Sequence, residues 1–217
     1  MEFYSEDHRG LQDQFGSRPL ADRLQETIVE SEVGELHQPF IESRDFFFLS
    51  TVNAAGEPTV SYKGGDEGVL KVVDAKTLAF PIYDGNGMFL SAGNIEGQTK
   101  IGLLLIDFIT PNRLRVQGGA TLSHDDPLMA EWPGAVTIVR CAVDSVFLNC
   151  GRYIHKHERV EDSPYVPDAN GEAPHPSWKR IDLMQDVLTE AEIARTEASG
   201  GEITLDDYAE KLLAGES

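Results

Sequence analysis

The chain has 217 residues, of which 41% are hydrophobic and 25% charged, a composition typical of a folded globular protein. Its 18 basic against 37 acidic residues give a formal net charge of -19, which opposes binding to nucleic acid or to an anionic membrane surface. We therefore expect a globular protein with neither kind of partner.

The N-terminal segment lacks the basic and apolar regions of a signal peptide, and no apolar run approaches the ~18 residues of a membrane span. Cys141 and Cys150 show no CxxC spacing, so neither a zinc site nor a disulfide framework is indicated. We expect a cytoplasmic protein with reduced thiols and no metal.

Residues 1–17 are polar and unpatterned, which predicts a flexible N-terminal arm. A helix is expected after Ser17 or Pro19, because Leu20, Leu24 and Ile28 fall near helical spacing.

From Phe46 the hydrophobic pattern changes to that of strands separated by turn residues. The expected strands are 46–52, 59–62, 69–73, 77–80, 101–109, 113–122 and 135–148, with a short helix over 86–95. Six or more strands with one crossover helix favour a small closed β-barrel, because closure removes exposed sheet edges.

The C-terminal part changes character again. The segment 153–159 could begin as strand or helix, and 163–179 is a proline-rich loop. Thr189 is a plausible helix cap, and a second helix is expected over 205–213. The predicted organisation is a flexible arm over 1–17, a barrel domain with its N-terminal helix over 18–188, and an acidic helical tail over 189–217.

The glycine-rich segment Gly85–Gly87 precedes the expected short helix and carries Asn86 as a potential cap. A helix N-terminus attracts anions through its free N–H groups and its dipole, so this segment is a potential phosphate site. An ordinary tight turn is the alternative.

Cationic side chains interrupt the strands at Lys63, Arg113 and Arg115. The two arginines alternate with apolar residues, which places both on one face of their strand. Pairing with surface carboxylates would also explain them, but their occurrence with a glycine-rich helix start favours an anionic ligand.

The order of these segments resembles the pyridoxamine 5'-phosphate oxidase-related family of flavin-binding split barrels, and within it the bacterial branch of predicted flavin-nucleotide-binding proteins. The resemblance covers about residues 20–188 and rests on segments 46–52, 56–58, 61–65, 77–81, 84–87 and 113–118.

This resemblance implies a mainly β fold with peripheral helices: a six-stranded Greek-key split β-barrel that forms a homodimer and binds FMN in two clefts at the interface. The implied FMN-binding residues are Ser61, Tyr62, Lys63, Gly64, Pro81, Tyr83, Asn86, Gly87, Met88, Arg113, Arg115, Trp178 and Arg180.

The chain departs from the authentic oxidases at the phosphate site. Ser61 stands where they carry a strand arginine, and Gly87 and Met88 replace their Arg-Lys pair. Backbone N–H groups over 86–88, together with Lys63, would then hold the phosphate. The Arg-x-His pattern of their C-terminal substrate site has no counterpart, so we do not expect a true pyridoxamine phosphate oxidase.

Two further features have plain alternatives. His155 and His157 share a strand face with no evident third ligand, so a metal site is not favoured. Trp178 could stack on a flavin ring or fill an interface core.

No catalytic nucleophile motif is present, so no side chain is assigned as acid, base or nucleophile. The first hypothesis is an FMN-dependent oxidoreductase that passes electrons from a nicotinamide donor to a small-molecule acceptor. The alternatives are a non-enzymatic flavin carrier or sensor, and a haem- or deazaflavin-binding relative.

Overall fold

Residues 3–215 are described by a computed structural model, and the part up to Glu161 is built on one antiparallel sheet. The strands are β1 (Phe46–Val52), β2 (Pro58–Gly64), β3 (Lys71–Asp74), β4 (Thr77–Tyr83), β5 (Lys100–Asp107), β6 (Asn112–Ser123) and β7 (Ala135–Asn149). Their order in the sheet is β2-β1-β5-β6-β7-β4-β3. The predicted mainly β fold is confirmed, with seven strands where the family resemblance implied six.

The sheet curves around one main hydrophobic core. Alternate residues of β1 are buried, including Phe47 and Leu49, as the period of a strand requires. Three strands separate β1 from β4 in the sheet, yet the rings of Phe47 and Phe80 lie 5.0 Å apart. This contact is possible only because the sheet curls back on itself, so the two strands face each other across the core.

Four α-helices and a 3₁₀ helix (Pro127–Glu131) accompany this sheet. The α-helices are α1 (Glu6–Gln14), α2 (Arg18–Ile28), α3 (Gln38–Glu42) and α4 (Leu90–Gly97). The helix expected after Ser17 is confirmed as α2. Helix α1 lies where we expected a flexible arm, because Ser5 and His8 form a capping box at its start. No helix within residues 3–215 is long and apolar enough to cross a membrane.

Helix α4 begins at Leu90, later than the position 86 that we expected. The side-chain oxygen of Asn86 accepts a hydrogen bond from the Met88 N–H over 3.1 Å, which forms a turn before the helix rather than its cap. The residue at the N-cap position is Phe89.

Residues 162–215 form a second compact unit. It contains two short 3₁₀ helices and the expected C-terminal helices, α5 (Glu190–Ala198) and α6 (Leu205–Ala214). An isolated parallel bridge joins Ile181 to Ile203. The proline-rich loop lies in this unit together with the C-terminal helices.

Candidate functional site

Strand β2 and the residue that follows it contact helix α4 and the end of β4 in the barrel unit. The hydroxyl oxygens of Ser61 on β2 and Ser91 on α4 lie 3.0 Å apart. A Cβ atom added to Gly65, just after β2, would lie 3.7 Å from the ring of Tyr83 at the end of β4. The fold therefore brings together segments that are separated by about twenty residues or more in the sequence.

Lys63 lies on the inner face of β2. It pairs across the sheet with the fully buried Phe47, and Ser61 shares its face two residues earlier. Lys63 is half-buried, and this burial lowers the pKa of its ammonium group. No ion pair to Lys63 is found among residues 3–215. A desolvated cation without a carboxylate partner is suited to binding an anion.

The start of α4 lies beside this lysine strand, because Ser91 is the second residue of the helix. Phe89 precedes the helix with φ of 49° and makes no capping hydrogen bond through its side chain. The N–H groups of the first helical turn have no partner within the helix. They are therefore available to hold an anion. We expected such groups over 86–88, where the Met88 N–H instead donates to Asn86 Oδ1.

Three apolar side chains, Met88, Phe89 and Leu90, are exposed at the same helix start. They follow Asp84–Gly87, a turn in which Gly87 adopts a φ of 75°. The helix start thus combines polar backbone groups with an apolar surface, a pairing that suits an amphipathic ligand.

A buried polar network fixes α4 against the sheet. The side-chain amide of Asn94 donates to the hydroxyl of Thr51 over 3.0 Å, and the hydroxyls of Thr51 and Thr59 lie 2.9 Å apart. Sequence reasoning missed Ser91 and Asn94. The available signal was their spacing of three residues, which places both on one helix face.

Arg113 and Arg115 lie on the outer face of β6. Their neighbours Leu114 and Val116 point into the core, and Arg115 pairs with Leu104 on β5 and Phe147 on β7. We expected the two arginines beside the lysine and the helix start. Within one chain the structure instead places them on the opposite face of the sheet from Lys63.

Tyr62 and Gly64 share this outer face. The Tyr62 ring stacks on Phe46 with centroids 5.4 Å apart. It lies close over Gly64, where an added Cβ would be 2.7 Å from Tyr62 Cε1. Alternation along β2 therefore divides the predicted residues, with Ser61 and Lys63 facing inward and Tyr62 and Gly64 outward.

Pro81 and Tyr83 occupy the end of β4. Pro81 is buried, and Tyr83 packs against a small apolar cluster that contains Trp132 and Ile138. Burial, with a smaller effect of the Asp66 carboxylate, raises the pKa of Tyr83. Of these two predicted residues, only Tyr83 presents part of its side chain to the surface.

Trp178 and Arg180 lie in the second compact unit. The Lys179 ammonium lies 5.5 Å from the Trp178 ring centroid, and Arg180 Nε donates to the Gly201 carbonyl over 2.8 Å. Both residues have contacts within their own unit, and their role at a cofactor site stays a prediction.

His157 contacts the ring of Phe108, with centroids 4.9 Å apart. In the part of the chain that the structure describes, no group of three or more His, Cys, Asp or Glu side chains is placed to hold a metal ion.

A sequence model of the family described as pyridoxamine 5'-phosphate oxidase matches residues 33–149, which is more than half of the chain. This stretch includes all seven strands and α4. No curated protein sequence matches the chain.

Several solved structures show a similar fold over part of the chain. A putative pyridoxamine 5'-phosphate oxidase from Lactobacillus delbrueckii is 23% identical, with 54% of this chain and 95% of that chain covered and a TM-score of 0.45. An FMN-binding protein from Syntrophomonas wolfei is 13% identical, with 64% and 97% covered and a TM-score of 0.41. The haem storage protein HutZ from Vibrio cholerae is 20% identical, with 51% and 89% covered and a TM-score of 0.39.

Proposed function

The chain belongs to the pyridoxamine 5'-phosphate oxidase family, and on that premise we propose that it is an FMN-binding oxidoreductase. The FMN phosphate would bind between β2 and the start of α4. The observation that carries this proposal is the half-buried Lys63 on β2, because Ser61 on the same face of that strand contacts Ser91 in the uncapped first turn of α4.

The residues present fit a phosphate group. Phosphate oxygens accept hydrogen bonds, and both a helix N-terminus and a lysine ammonium supply donors with positive charge. Lys63 is desolvated at a cost that a bound anion would offset. The exposed apolar side chains of Met88, Phe89 and Leu90 lie at the same place, where an aromatic ring system could rest on them.

When bound, FMN would supply hydride and electron transfer, here between a nicotinamide donor and a small-molecule acceptor. The contribution of the chain is then to bind and orient. Lys63 and the N–H groups of α4 hold the phosphate, and the polar network of Asn94 and Thr51 keeps the helix in place. No side chain is assigned to move a proton.

We also propose a homodimer in which the outer face of the barrel joins the cofactor cleft of a second copy. The outer face carries the half-exposed Phe46 and Phe48, the exposed Tyr62, and the arginines of β6. An exposed apolar patch rimmed by polar groups is typical of an interface. Dimerisation would allow Arg113 and Arg115 to serve a site that they do not reach within one chain.

Pyridoxamine phosphate is not proposed as the substrate. Ser61, Gly87 and Met88 stand where the oxidases carry cations, and no Arg-x-His sequence occurs in the chain. We propose instead a small-molecule substrate whose binding does not require a cationic site in the C-terminal part of the chain.

The proposal is tested by the visible absorbance of the purified protein and by titration with FMN, followed by anaerobic mixing with NADH and with NADPH. Flavin absorbance or saturable FMN uptake, and reduction by at least one nicotinamide, are expected. Protein that takes up no FMN contradicts the proposal. FMN uptake without reduction by either donor would instead assign the protein to the carrier or sensor class.

A further inference from the structure

Ser91 on α4 is not part of the sequence-derived site, yet its hydroxyl meets that of Ser61 at the proposed phosphate position. The two oxygens lie 3.0 Å apart, and either can be the donor. The contact links positions thirty residues apart. It is therefore a property of the fold rather than of a local turn.

The pair has one hydrogen-bond donor to spare. Each serine hydroxyl carries a single hydrogen and two acceptor lone pairs, so a contact between two hydroxyls consumes only one of the two hydrogens. Neither hydroxyl has another hydrogen-bond partner among the residues that the structure describes. One O–H group is thus free to donate to a third partner.

The surroundings of the free donor suit an anion. Ser91 is the second residue of α4, in the first turn whose N–H groups lack a side-chain cap. Ser61 lies two residues before Lys63 on the same face of β2, next to a lysine whose burial depresses its pKa. The Ser91 hydroxyl and the first-turn N–H groups thus belong to one end of α4, and Lys63 lies on the strand face that this end contacts through Ser61.

A polar network between α4 and the sheet fixes the position of the serine pair. Asn94, one turn beyond Ser91, donates to Thr51, which is only 1% exposed. Thr51 in turn contacts the Thr59 hydroxyl on β2. Because α4 is held to the sheet at Asn94 as well as at Ser91, the Ser91 hydroxyl does not have to be ordered when a ligand arrives, which favours binding.

We propose that Ser61 and Ser91 act as one unit that donates a hydrogen bond to a phosphate oxygen of the flavin nucleotide, with Asn94 as a positioning residue for that unit. This inference rests on the proposed function, since it takes FMN as the ligand. It adds Ser91 and Asn94 to the site and gives the chain a neutral donor where the oxidases carry cations.

The test compares FMN with riboflavin, which has the same ring system but no phosphate. Dissociation constants for both are measured by flavin fluorescence quenching for the wild-type protein, Ser61→Ala, Ser91→Ala, the double variant and Asn94→Ala. Thr137→Val is the control, because it removes a buried hydroxyl that donates to the Ser123 carbonyl elsewhere in the barrel. Thermal unfolding without flavin shows which variants remain folded.

We expect each serine variant to weaken FMN binding about tenfold, the loss of one hydrogen bond to a charged group, with riboflavin binding changed less than about twofold. The double variant should be no more than about twofold weaker than either single variant, because the pair acts as a unit. Asn94→Ala should also reduce the preference for FMN over riboflavin, and Thr137→Val should leave it unchanged.

Equal loss of FMN and riboflavin affinity would overturn the proposal, since it would mean that the pair only supports the fold. Unchanged FMN affinity in Ser91→Ala would overturn it as well, while leaving the proposed function intact. Wild-type protein that binds neither flavin would refute the proposed function itself. If the single variants do not fold, Ser91→Thr and Ser61→Thr, which retain the hydroxyl, must keep the phosphate preference or the proposal fails.

Discussion

Gly118 on β6 faces the main-chain carbonyl of Ala142 on β7 with no room for a side chain between them. A Cβ atom added to Gly118 would overlap that oxygen and would lie 2.7 Å from Cys141 Sγ. The register of the two strands shifts between Gln117 and Gly118, so the close approach coincides with a β-bulge.

This contact predicts that Gly118→Ala lowers the free energy of unfolding by roughly 2 kcal/mol, the cost of forcing a methyl group into a packed strand pair. The adjacent Gly119→Ala is a matched control, because the nearest atom to its added Cβ would be 3.9 Å away. Urea denaturation of both variants measures the difference. Equal stability of the two variants would contradict the prediction, because it would mean that β6 and β7 can move apart at Gly118 without a loss in the free energy of unfolding.

The second compact unit contains a partly buried ion pair between Lys179 and Glu192, with Nζ and Oε1 2.6 Å apart. The hydrogen bond from Lys179 is the main cause that lowers the pKa of Glu192 from 4.5 to about 2. Folding therefore disfavours protonation of this carboxylate. Its stabilising contribution is fully present above about pH 4.5 and is lost as the pH falls toward 2.

Glu192→Gln should lower the free energy of unfolding by about 2 kcal/mol at neutral pH, since it removes the carboxylate that the buried Lys179 ammonium contacts. The difference from the wild-type protein should shrink as the pH falls below 4.5. Chemical denaturation across this pH range checks both statements. A difference that does not depend on pH would assign the effect to packing instead.

Phe89 is the one non-glycine residue between 3 and 215 with a positive φ, at 49°. A left-handed backbone costs an ordinary residue about 1 kcal/mol, and glycine adopts it freely. We predict that Phe89→Gly is at least as stable as the wild-type protein, and that the β-branched Phe89→Val is less stable by more than about 1 kcal/mol. Melting temperatures compare the two, and a stable Phe89→Val would contradict the left-handed conformation.

The lowered pKa of Lys63 predicts a pH dependence of FMN binding. A bound phosphate favours the charged lysine, so FMN affinity should be constant at neutral pH and fall at alkaline pH, once the free lysine loses its proton. The fall should begin below the ordinary lysine value of 10.5. Lys63→Met should bind FMN weakly and lack this dependence, and a wild-type profile that matches the variant would exclude Lys63 from the site.

The strands could be predicted well because their hydrophobic period and turn residues are local. Phe46–Val52 and Thr77–Tyr83 carry strong strand patterns, and both are strands at nearly the predicted positions. The predicted start of α4 at position 86 precedes the observed start at Leu90. Asn86 resembles a helix cap, and the sequence does not distinguish a cap from a turn residue.

Only part of the candidate site could be predicted, because the rest depends on contacts between residues that are distant in the sequence. Lys63 and the segment before α4 could be identified, since an isolated lysine and a glycine-rich turn are recognised from neighbouring residues in the sequence. The contact between Ser61 and Ser91 depends on how the helix crosses the sheet. The separation of Arg115 from Lys63 depends on which face of each strand is buried.

The central claim is that Lys63 holds the phosphate of a bound flavin, and it is tested most directly by FMN titration of Lys63→Ala beside Lys76→Ala. Lys76 is a suitable control because its ammonium is engaged at the surface by the Ser31 carbonyl, 2.5 Å away.

We predict that Lys63→Ala weakens FMN binding by about 1.5–3 kcal/mol, as expected for a lost hydrogen bond between charged groups. Lys76→Ala should retain the wild-type dissociation constant. An unchanged dissociation constant for Lys63→Ala, in protein that still folds, would contradict the account.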